Sequence, residues 1–74
     1  MAVIDGSDRV TFEDVEVTSD RGIVLSCRVA RAGHGVRIVW VPRMRLLSGS
    51  TIARTGDRGQ LVISRWLAIS LGLA

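Results

Sequence analysis

Ile23-Val24-Leu25-Ser26-Cys27-Arg28-Val29-Ala30, then Gly33-His34-Gly35, then Val36-Arg37-Ile38-Val39-Trp40-Val41-Pro42: this stretch decides the fold. In its first run Ile23, Leu25, Cys27 and Val29 alternate with Val24, Ser26, Arg28 and Ala30. That is the period-two pattern of a half-buried strand, written in good β-formers. The glycines around His34 mark a turn that closes a hairpin. In the second run Val36, Ile38 and Trp40 alternate with Arg37, Val39 and Val41. Both parities are apolar around Val39, so the middle of this strand is expected to be covered on both sides. Trp40 is then a core residue, and Arg37, of opposite parity, points away from the core. Pro42 lacks a ladder donor and ends or bends the strand.

Upstream, Val10, Phe12, Val15 and Val17 are apolar at period two, with one change of parity at Glu13-Asp14. One extra residue in an alternating run reads as a bulged strand or two short strands. Ser19-Asp20-Arg21-Gly22 carries turn chemistry. Downstream, Arg43 to Leu47 reads as a short extended segment and Ser48-Gly49-Ser50 as a turn. Thr51-Ile52-Ala53 reads as a weak strand, Thr55 to Gly59 as a loop, and Leu61-Val62-Ile63 as a last strand. Ser64 is a good N-cap for a helix from Arg65 to Leu71. Gly72 sits at the C′ position, and Leu73 supplies the apolar closure of a Schellman motif. A helix this short is marginal alone, so Trp66, Leu67, Ile69 and Leu71 are expected to dock on the sheet.

The fold class is therefore mainly β, at the margin of α+β: about five short antiparallel strands in a small curled sheet or barrel, plus one short C-terminal helix. The 74 residues make a single small domain, 1–74, with residues 1–8 expected as a flexible N-terminus. At 47% hydrophobic residues the chain is not disordered by composition.

Composition narrows the chemistry. One Cys excludes an internal disulfide framework, and one His with one Cys falls short of the usual zinc set. Cys27 alternates into the apolar side of its strand and reads as an inert buried thiol. His34 reads as a solvated turn residue. Glu13 and Asp14 point to opposite faces of a regular strand, so they form no acid–base pair. Gly56-Asp57-Arg58-Gly59 has the spacing of a backbone-clamping GxxG loop, but it joins strands and reads as a hairpin loop. No phosphate-cradling P-loop pattern occurs. The chain reads as a non-enzyme, with no catalytic, cofactor or metal residues.

Charge is the remaining signal. All ten basic residues are Arg, and the net charge is +3. Residues 1–20 hold six acids against Arg9 alone, whereas residues 21–74 hold nine Arg against Asp57 alone. Such asymmetry polarises the surface field and favours polar partners. Arg28, Arg31 and Arg37 flank the hairpin, and Arg43 and Arg45 follow Pro42 with shared parity if the segment is extended. These five are the candidate partner-binding residues, expected as a cationic stripe that takes an acidic protein surface or phosphates. The acids of the first strand are an alternative neutraliser of the same stripe. The three aromatics, Phe12, Trp40 and Trp66, are all expected in the core, which leaves no stacking platform for single-stranded nucleic acid. No export signal is visible, and a free Cys fits a reducing cytoplasm. The longest apolar stretch, residues 61–74, is interrupted by Arg65 and too short for a bilayer span.

Trp40-Val41-Pro42-Arg43, followed by Leu61-Val62-Ile63-Ser64-Arg65-Trp66-Leu67-Ala68 and Gly72-Leu73, resembles small β-rich phage and prophage proteins of unassigned function. Those proteins carry a strand ending in W-[IV]-P-[KR] and close with a WLA helix and Gly-Leu. Val10-Thr11-Phe12-Glu13-Asp14-Val15 is also similar, so the resemblance spans most of residues 10–73. Arg43-Met44-Arg45 departs from it, where a Lys-Ser-Gln-like segment is expected. The resemblance implies a mobile-element origin and supplies no catalytic residues. The expected function is a non-enzymatic phage or mobile-element protein that binds and inhibits or modulates a host protein or nucleoprotein complex. An anti-CRISPR-type inhibitor is one example. The alternatives are a small basic β-barrel that contacts nucleic-acid phosphates through Arg, and an oligomeric accessory phage protein.

Overall fold

The computed structural model describes residues 3–4, 8–31, 33 and 35–73. The reading of His34 lies outside the described residues, as does most of the 1–8 segment. The elements are β1 (Val3–Ile4), β2 (Arg9–Asp20), β3 (Val24–Arg31), β4 (Gly35–Pro42), a 3-10 turn (Arg43–Arg45), β5 (Arg58–Ser64) and α1 (Arg65–Ser70). All strands pair antiparallel in one sheet of order β1-β2-β3-β4, with β5 on the other side of β2. The four longer strands carry the sheet; β1 is a two-residue addition beside Val10 and Thr11. Among the described residues β4 and β5 do not pair, so the sheet is open rather than a closed barrel.

The change of parity at Glu13-Asp14 is a bulge. Phe12 faces Leu61 and Val15 faces Gly59, so β2 uses one residue more than β5 there. Asp14 takes the extra step at φ 56, a left-handed conformation that Asp tolerates better than most residues. Val10, Phe12, Val15 and Val17 consequently all turn inward and are buried. A second bulge at Thr18, unmarked in the apolar pattern, shifts the β2–β3 register between Val17 and Ser19. Its hydroxyl lies 2.9 Å from that of Ser26, a buried polar residue.

Leu25, Cys27 and Val29 of β3 and Val39 and Val41 of β4 join the same core, together with Leu61 and Ile63 of β5. Burial raises the Cys27 thiol to about 11, which keeps it protonated at neutral pH. The covering layer is Ile52 from the loop after the 3-10 turn, and Leu67, Ala68 and Leu73 from the C-terminal segment. Residues 51–53 are not a strand. They run as a loop along β5, with the Thr51 amide donating to Gln60 O and the Gln60 amide donating to Thr51 Oγ1. Gly59 is required by that approach, because a Cβ there would overlap the Thr51 side chain.

Helix α1 begins where the sequence places it. The Ser64 hydroxyl accepts from the Leu67 amide at 3.1 Å. It ends in a Schellman motif: Leu73 N donates to Ala68 O, Gly72 N donates to Ile69 O, and Gly72 takes φ 76. The docked side chains differ from the expected set. Leu67 and Ala68 are buried and Leu71 is half-buried, while Trp66 is 62% exposed and Ile69 54%. Trp40 is also not a core residue; it is 47% exposed. The reason is register. Cys27 pairs with Val39 and Leu25 with Val41, so the inward parity of β4 is that of Arg37, Val39 and Val41. Val36, Ile38 and Trp40 lie on the opposite face, which nothing covers among the described residues. Ile23, read as part of the inward row, sits in the turn and is 82% exposed.

Candidate interaction face

The side of the sheet away from α1 carries a row of apolar side chains on β4: Val36, Ile38 and Trp40, each about half exposed. Their cross-strand neighbours on β3 are Ala30, Arg28 and Ser26. Arg28 pairs in turn with Glu16 of β2, and Glu16 pairs on its other side with Arg58 of β5. The sequence of side chains across the sheet is thus Arg58, Glu16, Arg28, Ile38: alternating charge that ends in an apolar edge. Asp14, Glu16, Arg28, Ala30, Val36 and Arg58 line a shallow recess there. At the other end of the row the Arg21 guanidinium lies 5.8 Å from the Trp40 ring centroid, a cation–π geometry. A second Trp–Arg pair sits on α1, where Arg45 lies 5.9 Å from the Trp66 ring. Ile23 and Met44, 82% and 84% exposed, border a small hollow with Gly22 and Arg43.

The five candidate Arg residues do not form one stripe. Arg28 belongs to the face just described. Arg31 and Arg37 sit near the C-terminal end of α1, Arg31 donating to Gly72 O at 3.1 Å and the Arg37 guanidinium lying against Gly72. Cations at that end complement the carbonyl dipoles of the last turn. Arg43 and Arg45 share no parity, because residues 43–45 are a 3-10 turn rather than an extended segment. Arg43 is a clamp. Its Nε donates to Gly22 O at 2.7 Å, its Nη1 to Ala53 O at 2.9 Å, and its Nη2 pairs with Asp20 at 2.8 Å. It ties the β2–β3 turn to the loop before β5, so replacing it disturbs folding as well as surface charge. Arg45 is committed to Trp66. Sequence reasoning missed Val36, Ile38, Trp40, Trp66 and Met44 as surface groups.

The GDRG loop is also structural. Asp57 accepts from the Ala53 and Arg54 amides at 2.8 and 2.9 Å, and these bonds hold its carboxyl below the usual carboxylate range. Gly56 N and Asp57 O bond to Val17 O and Val17 N, which fastens the loop to β2. Asp20 is likewise lowered, first by the Gly22 amide and then by Arg43. A carboxyl lowered on folding contributes stability above its unfolded value, and this is lost as pH falls through the folded value. Asp20→Asn is therefore expected to lower the urea midpoint at pH 7 and to differ little from the parent in strong acid. An equal difference at both pH values would remove the carboxylate from the clamp.

Comparison with protein-family models, with curated proteins and with solved structures finds no match. No helix among the described residues is long and apolar enough to cross a membrane. What fold and face define is a class: a small antiparallel sheet, covered on one side by a short helix and a loop, with an uncovered apolar row on an edge strand.

Proposed function

We propose that this chain is a non-enzymatic interaction protein that binds and inhibits or modulates a host macromolecular complex in the cytoplasm. Its sequence resemblance supports a phage or mobile-element origin, and an anti-CRISPR-type inhibitor is the concrete form. The observation that carries the reading is the uncovered row Val36, Ile38 and Trp40 beside the charges of Arg21, Arg28, Glu16 and Arg58. A Trp anchor among aliphatic groups, rimmed by charge, is the anatomy of a protein-binding hot spot. The cationic part of the face shrinks to Arg28, Arg21 and Arg58, because Arg31, Arg37 and Arg43 serve the fold.

The test adds the purified chain to a CRISPR nucleoprotein effector and follows target cleavage. Dose-dependent inhibition that Trp40→Ala weakens by about tenfold or more is the expected result. Full inhibition by the Trp40→Ala and Ile38→Asp variants would remove this face from the reading.

A second reading, nucleic-acid binding, is favoured by one observation. Trp40 and Trp66 are exposed, each beside an Arg, which is the chemistry of a base-stacking site. Titration of labelled single- and double-stranded DNA and RNA at two salt concentrations separates the two. Tight binding with a steep salt slope supports the second reading.

A further inference from the structure

The two long outer strands of the sheet, β5 and β4, are treated differently. The β5 edge is closed by its own loop: Leu47 N donates to Val62 O at 2.9 Å, Ser50 Oγ accepts from Val62 N, and Thr51 bonds to Gln60 both ways. The β4 edge is open. Arg43 N donates to Ile23 O, which fixes the phase of the β3–β4 ladder. Odd-numbered residues of β4 therefore bond to β3, and the N–H and C=O groups of Val36, Ile38 and Trp40 point to the free edge. No described residue bonds to them. The same three residues carry the exposed apolar side chains. An unprotected edge of this kind is a template for another strand.

We propose that the occupant of this edge is a second copy of the chain, paired β4 to β4 antiparallel about a two-fold axis at Ile38. That register alone pairs all three free residues with one another. Val36 meets Trp40 of the second copy, Ile38 meets its own equivalent, and each pair exchanges both backbone bonds. Sliding two residues one way brings Pro42, which has no N–H, opposite Val36. Sliding the other way leaves Trp40 facing no residue of β4. The side chains agree with the backbone. Apolar groups meet apolar groups on the exposed face, and the row across the seam runs Glu16, Arg28, Ile38, Ile38, Arg28, Glu16, with no like charges directly opposed. The only charge on β4, Arg37, is turned to the inner side and lies against Gly72. The dimer is one continuous sheet whose open face carries two apolar rows side by side. This inference rests on the strand edge and not on the identity of any host partner.

Two measurements on the chain alone test it. In sedimentation the mass should rise with concentration from 8.0 kDa toward twice that value. Ile38→Lys, which sets two ammonium groups across the axis, should hold it at the monomer mass, and Trp66→Lys should not. In the cross-linking arm, hydrogen-bonded antiparallel neighbours have Cα atoms about 5.5 Å apart, within disulfide range. Ile38→Cys should therefore form a covalent dimer on mild oxidation. A mixture of Val36→Cys and Trp40→Cys should cross-link far more than either variant alone. The native Cys27 is fully buried and stays out of the reaction. A chain that remains at 8.0 kDa throughout overturns the proposal. So does a dimer unaffected by Ile38→Lys, or Ile38→Cys cross-linking no better than Met44→Cys.

Discussion

A chain lacking residues 65–74 is expected to be unfolded or aggregated. The strands expose one broad apolar face, and a sheet of this size does not hide such a face by itself. Leu67, Ala68 and Leu73 are the C-terminal members of the core, with Leu71 packed against it. Truncating one buried Leu typically costs about 2–5 kcal/mol, and a small domain has only about 5–10 kcal/mol in total. Removing two buried Leu residues together with Ala68 therefore exhausts the stability. Three local features hold them in place: the Ser64 cap, the Schellman bonds of Gly72 and Leu73, and Arg31 on the Gly72 carbonyl. The measurement is circular dichroism with urea unfolding of the 1–64 chain. A soluble truncation with a cooperative transition would show that loop residues such as Ile52 suffice as cover.

The termini of that helix were legible because capping is local chemistry. Ser, Gly and Leu at fixed offsets say where a helix starts and stops whatever it packs on. Its buried face was less legible. Six helical residues are too few for a period of 3.6 to choose between Trp66 and Leu67, and the larger side chain is the wrong choice. The β2 bulge was legible because an inserted residue flips the apolar parity. The bulge at Thr18 was not, because the residues after Val17 are polar and carry no parity.

The face of β4 was within reach of the sequence by a different route. Read alone, Val36, Ile38 and Trp40 outweigh Arg37, Val39 and Val41. Paired residues on neighbouring strands share a face, however, and β3 has an unambiguous inward row in Leu25, Cys27 and Val29. A hairpin in which Arg31 faces Gly35 makes Val39 and Val41 their partners and turns Trp40 outward. The five Arg residues failed as a stripe for a related reason. Parity arguments end at Pro42, where the chain leaves the sheet, and Arg43 is then placed by three polar partners that lie far away in sequence.

That inversion sets the other large effect. Leu25→Ala should cost about 2–5 kcal/mol, because Leu25 is fully buried opposite Val41 and its removal leaves a cavity. Trp40→Ala removes a much larger side chain and should cost less, about 1–2 kcal/mol. Roughly half of the ring already faces water, so no closed cavity forms. What is lost is partial burial and the Arg21 cation–π contact, worth about 0.5–1 kcal/mol at an exposed site. Urea midpoints at constant m-value measure both. A Trp40→Ala loss equal to or above that of Leu25→Ala would mean that Trp40 is enclosed. The apolar row would then be a second core rather than an open face. If the order holds, the largest aromatic of the sheet contributes little to folding for its size, as a half-exposed ring on an open edge strand should.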